Sequence, residues 1–205
     1  MTKKWYLIAL VVGIVILFLA GQKILEEKQT ATMEKRPAAV AIVLFQGFNS
    51  QEYDAVKKIS NNVTIVAADK DIGTKYDVYI GDIKDMDKFI SKYKAIVLVG
   101  GPGVYQRVTG KIQDPNMEMV IKFVKIANSK GKIIGAICAS PAILAKAGIL
   151  KNKKATVYPS DDLIRILKEN GVNYTKSAVV VEGNIITASD PTAAQDFAVA
   201  IAKKL

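Results

Sequence analysis

Residues 132–141 read KIIGAICASP and contain the only cysteine of this 205-residue chain. The apolar run that ends at Ile137 predicts a short buried strand, and the run that begins at Ser140 predicts a helix. The small side chains two positions before and after Cys138, those of Ala136 and Ser140, satisfy the steric demand of a nucleophile elbow. The stretch therefore predicts a strand–turn–helix unit with Cys138 at its corner.

The predicted position of Cys138 favours a reactive thiol. A thiol at a helix N-terminus feels the positive end of the helix dipole, which favours the thiolate. The alternative is a buried cysteine that fills a gap in the core. The chain contains no histidine, so the usual base of a cysteine–histidine enzyme is missing. We therefore expect a reactive cysteine that works without histidine.

Strands and helices alternate along residues 38–205. Residues 38–45 and 95–99 are continuous apolar runs, which are typical of parallel strands buried on both faces of a sheet. Residues 51–60 follow the first of these strands as a predicted helix, and residues 179–187 predict a hairpin around a Gly-Asn pair. The alternation predicts an α/β three-layer sandwich with a mostly parallel sheet.

An uncharged segment precedes this domain. Residues 5–21 carry no charged side chain, and as a helix they span about 25 Å, enough for a hydrocarbon core of roughly 30 Å when flanking side chains reach the interface. No A-x-A-like cleavage site follows, which favours an uncleaved anchor over a secretory signal peptide. We expect one transmembrane helix in residues 1–21, a juxtamembrane linker in residues 22–37 and a globular domain in residues 38–205.

The partner of residues 5–21 is then a membrane, and the flanking basic residues determine on which side the domain lies. Lys3 and Lys4 favour an N-terminus in the cytoplasm, whereas Lys23 and Lys28 on the other flank favour the opposite orientation. We expect a single-pass membrane protein whose globular domain lies outside the cytoplasm.

The net charge of the chain is +10 at pH 7. The lysines are scattered along the sequence, and no nucleic-acid-binding motif accompanies them. A solvated, lysine-rich surface explains such a charge without a nucleic-acid partner. With one cysteine and no histidine, the usual ligands of a transition metal are also missing. We therefore expect no nucleic acid, no metal and no cofactor.

Four segments of the predicted domain resemble the DJ-1/PfpI (ThiJ) superfamily. They are residues 93–101 (YKAIVLVGG), 135–145 (GAICASPAILA), 154–159 (KATVYP) and 183–189 (GNIITAS). Because these segments are spread over the whole predicted domain, the chain is identified as a membrane-anchored member of that superfamily. The resemblance implies a flavodoxin-like sandwich with the nucleophilic cysteine at the elbow.

The resemblance also implies which residues surround Cys138. Glu52 stands where the family has a glutamate that hydrogen-bonds the cysteine, and a carboxyl that follows the first strand is expected to face the same crevice of a parallel sheet. The loop of Gly100 and Gly101 permits close approach of the backbone. The backbone amides of Gly101 and Ala139 are expected to form an oxyanion hole, with Gly100 beside them.

Tyr158 and Ser140 complete the expected pocket, and two positions depart from the family pattern. Ala139 stands where members that resemble proteases or glyoxalases have a histidine. Tyr158 stands where members that resemble DJ-1 have one. The Tyr158 hydroxyl can hydrogen-bond, but a phenol is a poor general base at neutral pH. Proton transfer is therefore expected to depend on Glu52.

Three functions follow as alternatives. The first is an enzyme in which the Cys138 thiolate attacks a small carbonyl or acyl substrate and Glu52 carries the proton. The second is a redox- or electrophile-responsive binding module in which Cys138 is oxidised. The third is a catalytically inactive scaffold domain. The expected partners are a small-molecule electrophile or oxidant and a second copy of the chain in a homodimer.

Overall fold

The computed structural model describes residues 19–23 and 39–205. Residues 19–23 are helical, and residues 38–205 form one compact unit. Within the described residues, no helix is both long enough and apolar enough to cross a bilayer. Most of the predicted anchor, residues 1–21, and most of the predicted linker, residues 22–37, lie outside the described residues. The anchor, the linker and the membrane location therefore stay predictions.

Nine strands lie within the described residues. They are β1 (Val40–Leu44), β2 (Val63–Ala67), β3 (Val78–Tyr79), β4 (Ala95–Leu98), β5 (Ile133–Ile137), β6 (Lys154–Ala155), β7 (Asn173–Tyr174), β8 (Val179–Glu182) and β9 (Ile185–Ala188). Seven of them form one sheet in the order β3-β2-β1-β4-β5-β9-β8, and β6 pairs with β7 in a small second sheet. All neighbours are parallel except β8 and β9, which form the predicted hairpin at one edge.

Seven α-helices connect these strands within residues 39–205. They are α1 (Ser50–Val56), α2 (Met86–Ser91), α3 (Pro102–Val108), α4 (Met117–Ser129), α5 (Pro141–Lys146), α6 (Asp161–Glu169) and α7 (Ala194–Ala202). Helix α1 packs against α7, and α2 packs against α4. Right-handed crossovers place these two pairs on opposite faces of the sheet, which gives the three layers of the fold.

The central strands β1, β4 and β5 form the core, and every residue in them is buried. Such continuous burial is expected for parallel strands that are covered by helices on both faces. The predicted α/β three-layer sandwich with a mostly parallel sheet is thereby confirmed. The carboxyl ends of these three strands lie at the same edge of the sheet and lead into α1, α3 and α5, which is where open α/β sheets bind their ligands.

Two stretches differ from the sequence-based expectation. The sequence predicts a loop over residues 100–103, but α3 begins at Pro102. Proline is tolerated there because the N–H that it lacks has no partner in the first turn of a helix. The helix predicted over residues 51–60 ends as an α-helix at Val56 and continues as a 3-10 turn over Lys57–Ile59. Neither difference changes the order of the elements that carry the predicted site.

Candidate active site

Cys138 lies at the corner between β5 and α5. Its φ of 63° falls in the left-handed region, which residues other than glycine rarely adopt. Two hydrogen bonds hold the corner: Cys138 N–H donates to the Ala188 carbonyl at 3.0 Å, and the Cys138 carbonyl accepts from Tyr158 N–H at 2.8 Å. Cys138 is 9% exposed. The corner therefore has the strained, rigid geometry of a nucleophile elbow.

Ser140 makes a structural contact and does not line the cavity, in contrast to the prediction. Its side chain is fully buried, and its Oγ donates a hydrogen bond to the Val99 carbonyl at 2.9 Å. A buried hydroxyl without a partner is costly, so this bond determines the direction of the side chain. Ser140 thus ties the elbow to the end of β4.

The loop between β4 and α3 passes so close to the elbow that only glycine fits. A Cβ atom on Gly100 would lie 2.5 Å from the Ile137 carbonyl oxygen and 2.6 Å from the Cys138 Cβ. Gly101 has a φ of 129°, and a Cβ atom there would lie 2.6 Å from the backbone nitrogen of Asn49. The two glycines therefore let one loop contact both the elbow and the start of α1.

Glu52 lies in the first turn of α1, next to this loop. Asn49 caps the helix by accepting a hydrogen bond from Glu52 N–H at 3.0 Å. Glu52 is fully buried, and its Oε2 accepts from Gly100 N–H at 2.8 Å. Among the described residues, no nitrogen or oxygen donor reaches Oε1, and the side chain interacts with the Cys138 thiol. The Gly100 amide therefore holds Glu52, next to the loop position that carries Gly101.

Burial dominates the electrostatics of Glu52 and Cys138. The pKa of Glu52 is raised from 4.5 to about 7. Loss of solvation is the main cause and the Asp190 carboxylate adds to it, whereas the hydrogen bonds from Gly100 and Cys138 oppose the rise. The pKa of Cys138 is raised from 9.0 to about 12, mainly by loss of solvation and in addition by the charge of Glu52. The thiol therefore needs a base within the site to become a nucleophile.

The two amides predicted for the oxyanion hole both lie at the sulfur. The backbone N–H groups of Gly101 and Ala139 hydrogen-bond Cys138 and lower the pKa of its thiol. The sequence predicted that the helix end favours the thiolate, and these amides exert that effect. Burial and the Glu52 carboxylate outweigh it, so the net shift of the Cys138 pKa is opposite to the expectation.

A cavity of about 350 Å³ opens beside Cys138. Tyr158 lines it, and 43% of this residue is exposed. Tyr105 from α3 and Leu163 from α6 form further parts of the wall. The volume lies within the range of small-molecule sites, which is about 300–1,000 Å³. Cys138, Gly101 and Ala139 therefore line a space that a small ligand can occupy, whereas Glu52 is fully buried and does not line it.

Sequence reasoning missed Tyr105 and the contact that fixes it. The Tyr105 hydroxyl donates to Asp162 Oδ2 at 2.8 Å, which joins α3 to α6 next to the cavity. These two residues are 57 positions apart, and nothing in the local sequence marks them as neighbours. Pro102, as a residue suited to the first turn of a helix, was the available indication that Tyr105 lies on a helix.

A second charged cluster, whose residues are partly buried, lies farther along α3. Arg107 forms ion pairs with Asp69 at 3.0 Å and with Asp114 at 3.3 Å. Its Nη1 also donates to the carbonyl oxygens of Gly103 at 3.0 Å and Gln46 at 3.3 Å. The cluster therefore ties the loop that follows β1 to α3. It was not predicted, because its charged residues are scattered along the chain.

Known proteins provide an independent comparison. The chain matches the DJ-1/PfpI family over residues 38–204. An uncharacterized protein of Methanocaldococcus jannaschii is 44% identical over 113 residues, which are 55% of this chain and 52% of that protein. A glutathione-independent glyoxalase of Caenorhabditis elegans is 29% identical over 129 residues, which are 63% of this chain and 61% of that protein. The matched parts thus span little more than half the length of these relatives.

A solved structure shows the same fold. The crystal structure of Drosophila melanogaster DJ-1beta has a TM-score of 0.64 to this chain at 26% sequence identity, and the match covers 82% of this chain and 89% of that one. The family match includes the central sheet, the elbow and the helix that carries Glu52. We conclude that this chain belongs to the DJ-1/PfpI family.

Proposed function

We propose that this domain acts on small carbonyl compounds, with Cys138 as the nucleophile and Glu52 as the proton carrier. The observation that supports this most directly is the buried carboxyl of Glu52. One oxygen is fixed by the Gly100 amide at 2.8 Å, and the other has no N–H or O–H donor among the described residues. That oxygen is therefore free to take a proton from the neighbouring thiol. The relative from C. elegans is a glyoxalase, which agrees with carbonyl chemistry.

The proton of the pair moves with the reaction. With pKa values of about 7 for Glu52 and about 12 for Cys138, the two groups share one proton between these pH values. As the sulfur bonds to the carbonyl carbon, the thiol proton passes to Glu52 and the π electrons of the C=O bond move to its oxygen. Glu52 then returns the proton to that oxygen, which gives a neutral hemithioacetal. Both transfers use one carboxyl, so the scheme needs no histidine.

The amides of Gly101 and Ala139 are the proposed stabilisers of the developing oxyanion. Both already hydrogen-bond Cys138. As the sulfur loses its negative charge to the carbonyl oxygen, the same donors become available to that oxygen. Fixed amide donors in a site that excludes water stabilise such charge strongly.

The test is the consumption of methylglyoxal by the full-length chain and by two variants. Cys138→Ser removes the nucleophile, and we expect kcat/KM to fall at least about a thousandfold. Glu52→Gln removes the proton carrier while keeping the shape of the side chain, and we expect a loss of about a hundredfold or more. Glu118→Gln, at an exposed glutamate of α4, is the matched control and leaves kcat/KM unchanged.

The same samples separate the two alternative functions. If the wild-type protein turns over no aldehyde but peroxide converts Cys138 to a sulfenic or sulfinic acid, detected by mass spectrometry, the redox module replaces the enzyme. The raised pKa of the thiol disfavours this outcome, since oxidation by peroxide follows thiolate character. Neither turnover nor oxidation identifies a scaffold domain.

A further inference from the structure

We propose that the cavity beside Cys138 selects uncharged carbonyl compounds with an aromatic or branched apolar substituent and rejects those that carry a carboxylate. That the reacting group is a carbonyl rests on the proposed function. The selection itself rests on the walls of the cavity, on its size and on the charges around it.

Apolar surfaces form most of the wall of the cavity. They come from Pro102, Leu163 and Pro191 and from the rings of Tyr105 and Tyr158. These residues belong to separate segments, so their side chains enclose a substituent from several sides. Burial of apolar surface between them favours an apolar substituent, and planar rings such as those of the tyrosines pack well against an aromatic one.

The size of the cavity points to a substituent larger than a methyl group. Its volume of about 350 Å³ corresponds to about twelve water molecules at roughly 30 Å³ each. Methylglyoxal leaves most of this volume to water. A phenyl-bearing oxoaldehyde displaces that water and contacts the apolar wall, which raises its affinity in proportion to the surface that it buries.

The charges next to the thiol are negative, although the net charge of the chain is +10. Glu52 interacts with the thiol, and the charge of Asp190 acts on Glu52. Asp190 accepts hydrogen bonds from Ser189 and Thr192, and it has no ion pair with a lysine or arginine of the described region. None of the described residues that line the cavity is a lysine or an arginine. A substrate carboxylate would therefore meet like charges without a cation to bind it.

A cation close to the wall is already neutralised. The Nζ atom of Lys111 lies 4.7 Å from the ring centroid of Tyr105 and 3.9 Å from Asp162 Oδ2. Asp162 in turn accepts the hydrogen bond of the Tyr105 hydroxyl at 2.8 Å. Lys111 is thus engaged by a ring and by a carboxylate that it shares with Arg165, and Lys111 does not line the cavity.

The inference is tested with alkylating agents, because the chain has a single cysteine and the Cys138 thiolate displaces iodide from each of them. Rates at pH 8 are measured on the full-length chain with iodoacetamide, N-phenyl-iodoacetamide and iodoacetate, each divided by its rate with N-acetylcysteine. We expect the phenyl compound to be at least tenfold faster than iodoacetamide, and iodoacetate at least tenfold slower. Three normalised rates within threefold of one another would overturn the proposal.

A charge placed in the wall checks that the selection arises inside the cavity. Tyr158→Lys introduces a cation at a wall position that is 43% exposed, and we expect the normalised iodoacetate rate to rise at least fivefold. Tyr76→Lys introduces the same charge at a tyrosine of similar exposure, 38%, which does not line the cavity, and we expect no change. Equal increases in the two variants would show a bulk charge effect and contradict the proposal.

Aldehyde turnover separates this inference from the proposed function. We expect phenylglyoxal to have a kcat/KM at least tenfold above that of methylglyoxal, and glyoxylate to be inert. If no aldehyde is turned over, the proposed function fails, whereas the alkylation rates still decide whether the cavity selects neutral apolar molecules. If methylglyoxal and glyoxylate react as well as phenylglyoxal, the function stands and the selection is refuted.

Discussion

Two groups of ionisable side chains lie at the carboxyl edge of the sheet, and they differ in whether a cation is present. Around Arg107, a guanidinium pairs with the carboxylates of Asp69 and Asp114 and also donates to backbone carbonyls. Around Cys138, the buried partner is another acid, Glu52. Among the described residues, hydrogen bonds from the Gly100 amide and from the thiol oppose the rise of its pKa. The first group holds a cation for its two carboxylates. The second holds no cation among the described residues and keeps a Glu52 oxygen that no N–H or O–H donor reaches, next to a nucleophile.

The difference shows which buried acids are suited to chemistry. Burial raises the pKa of Asp114 and the Arg107 guanidinium lowers it, and such a cluster is stable only while the cation is present. An acid buried without a counter-ion instead takes up its proton near neutral pH, as Glu52 does with a pKa of about 7. Burial raises the pKa of an acid in both groups, so the absence of a cation is the feature that distinguishes the candidate active site.

The largest effect is expected from Arg107→Ala, which removes the guanidinium that pairs with Asp69 and Asp114. Asp69 and Asp114 would be left as poorly solvated charges without a partner, and we expect the free energy of unfolding to fall by about 3–5 kcal/mol. The measurement is urea denaturation at pH 7. Arg165→Ala is the control, because Arg165 is 63% exposed and its ion pairs with Asp162 and Glu169 are expected to contribute less than about 1 kcal/mol. An equal loss of unfolding free energy in both variants would show that the Arg107 cluster contributes no more to stability than a surface ion pair.

The next expected effect is a loss of stability with rising pH, which tests whether burial raises the pKa of Glu52. Below pH 4.5 Glu52 is protonated in both the folded and the unfolded chain, so its contribution to stability is complete. Between pH 4.5 and about 7 the unfolded chain releases this proton first, so the wild-type protein loses about 3 kcal/mol relative to Glu52→Gln. The free energy of unfolding, measured between pH 4 and 8, checks this, with Glu118→Gln as the surface control. Parallel curves for wild type and Glu52→Gln would contradict the raised pKa.

A smaller effect is expected from Gly100→Ala, which sharpens the comparison by disturbing the one amide that holds Glu52. The new Cβ would lie within 2.6 Å of the elbow, and the loop has to move away from it. We expect a loss of about 1–3 kcal/mol in the free energy of unfolding, together with slower alkylation of Cys138. Wild-type alkylation in this variant would show that the Gly100 amide does not position Glu52.

The parts of the site that follow local rules were predictable from the sequence. The corner at Cys138 follows from an apolar strand, a small residue on either side and a helix start. The burial of Glu52 could not be predicted in this way, because an acidic residue early in a helix ordinarily lies in solvent, and only the family resemblance pointed to it. The direction of Ser140 was mispredicted because it depends on a carbonyl of the neighbouring strand, Val99.

The remaining features depend on contacts between distant segments. The Arg107 cluster joins residues from three loops, and in the sequence each of its charges is typical of a solvated surface. The net shift of the Cys138 pKa depends on how much of the thiol is buried and on its distance from Glu52, neither of which a sequence pattern specifies. Local patterns therefore predicted the positions of the reactive groups better than their energetics.

The most direct test of the coupling between Glu52 and Cys138 is the rate of iodoacetamide alkylation as a function of pH, measured between pH 5 and 10 on the wild-type chain and on Glu52→Gln. Since the pair shares one proton above a pH of about 7, the wild-type rate is expected to rise through an inflection near pH 7 and then to level off. In Glu52→Gln that inflection disappears, and the rate rises continuously as an isolated thiol ionises. Superimposable profiles for the two proteins would show that Glu52 and Cys138 titrate independently and would contradict the proposed mechanism.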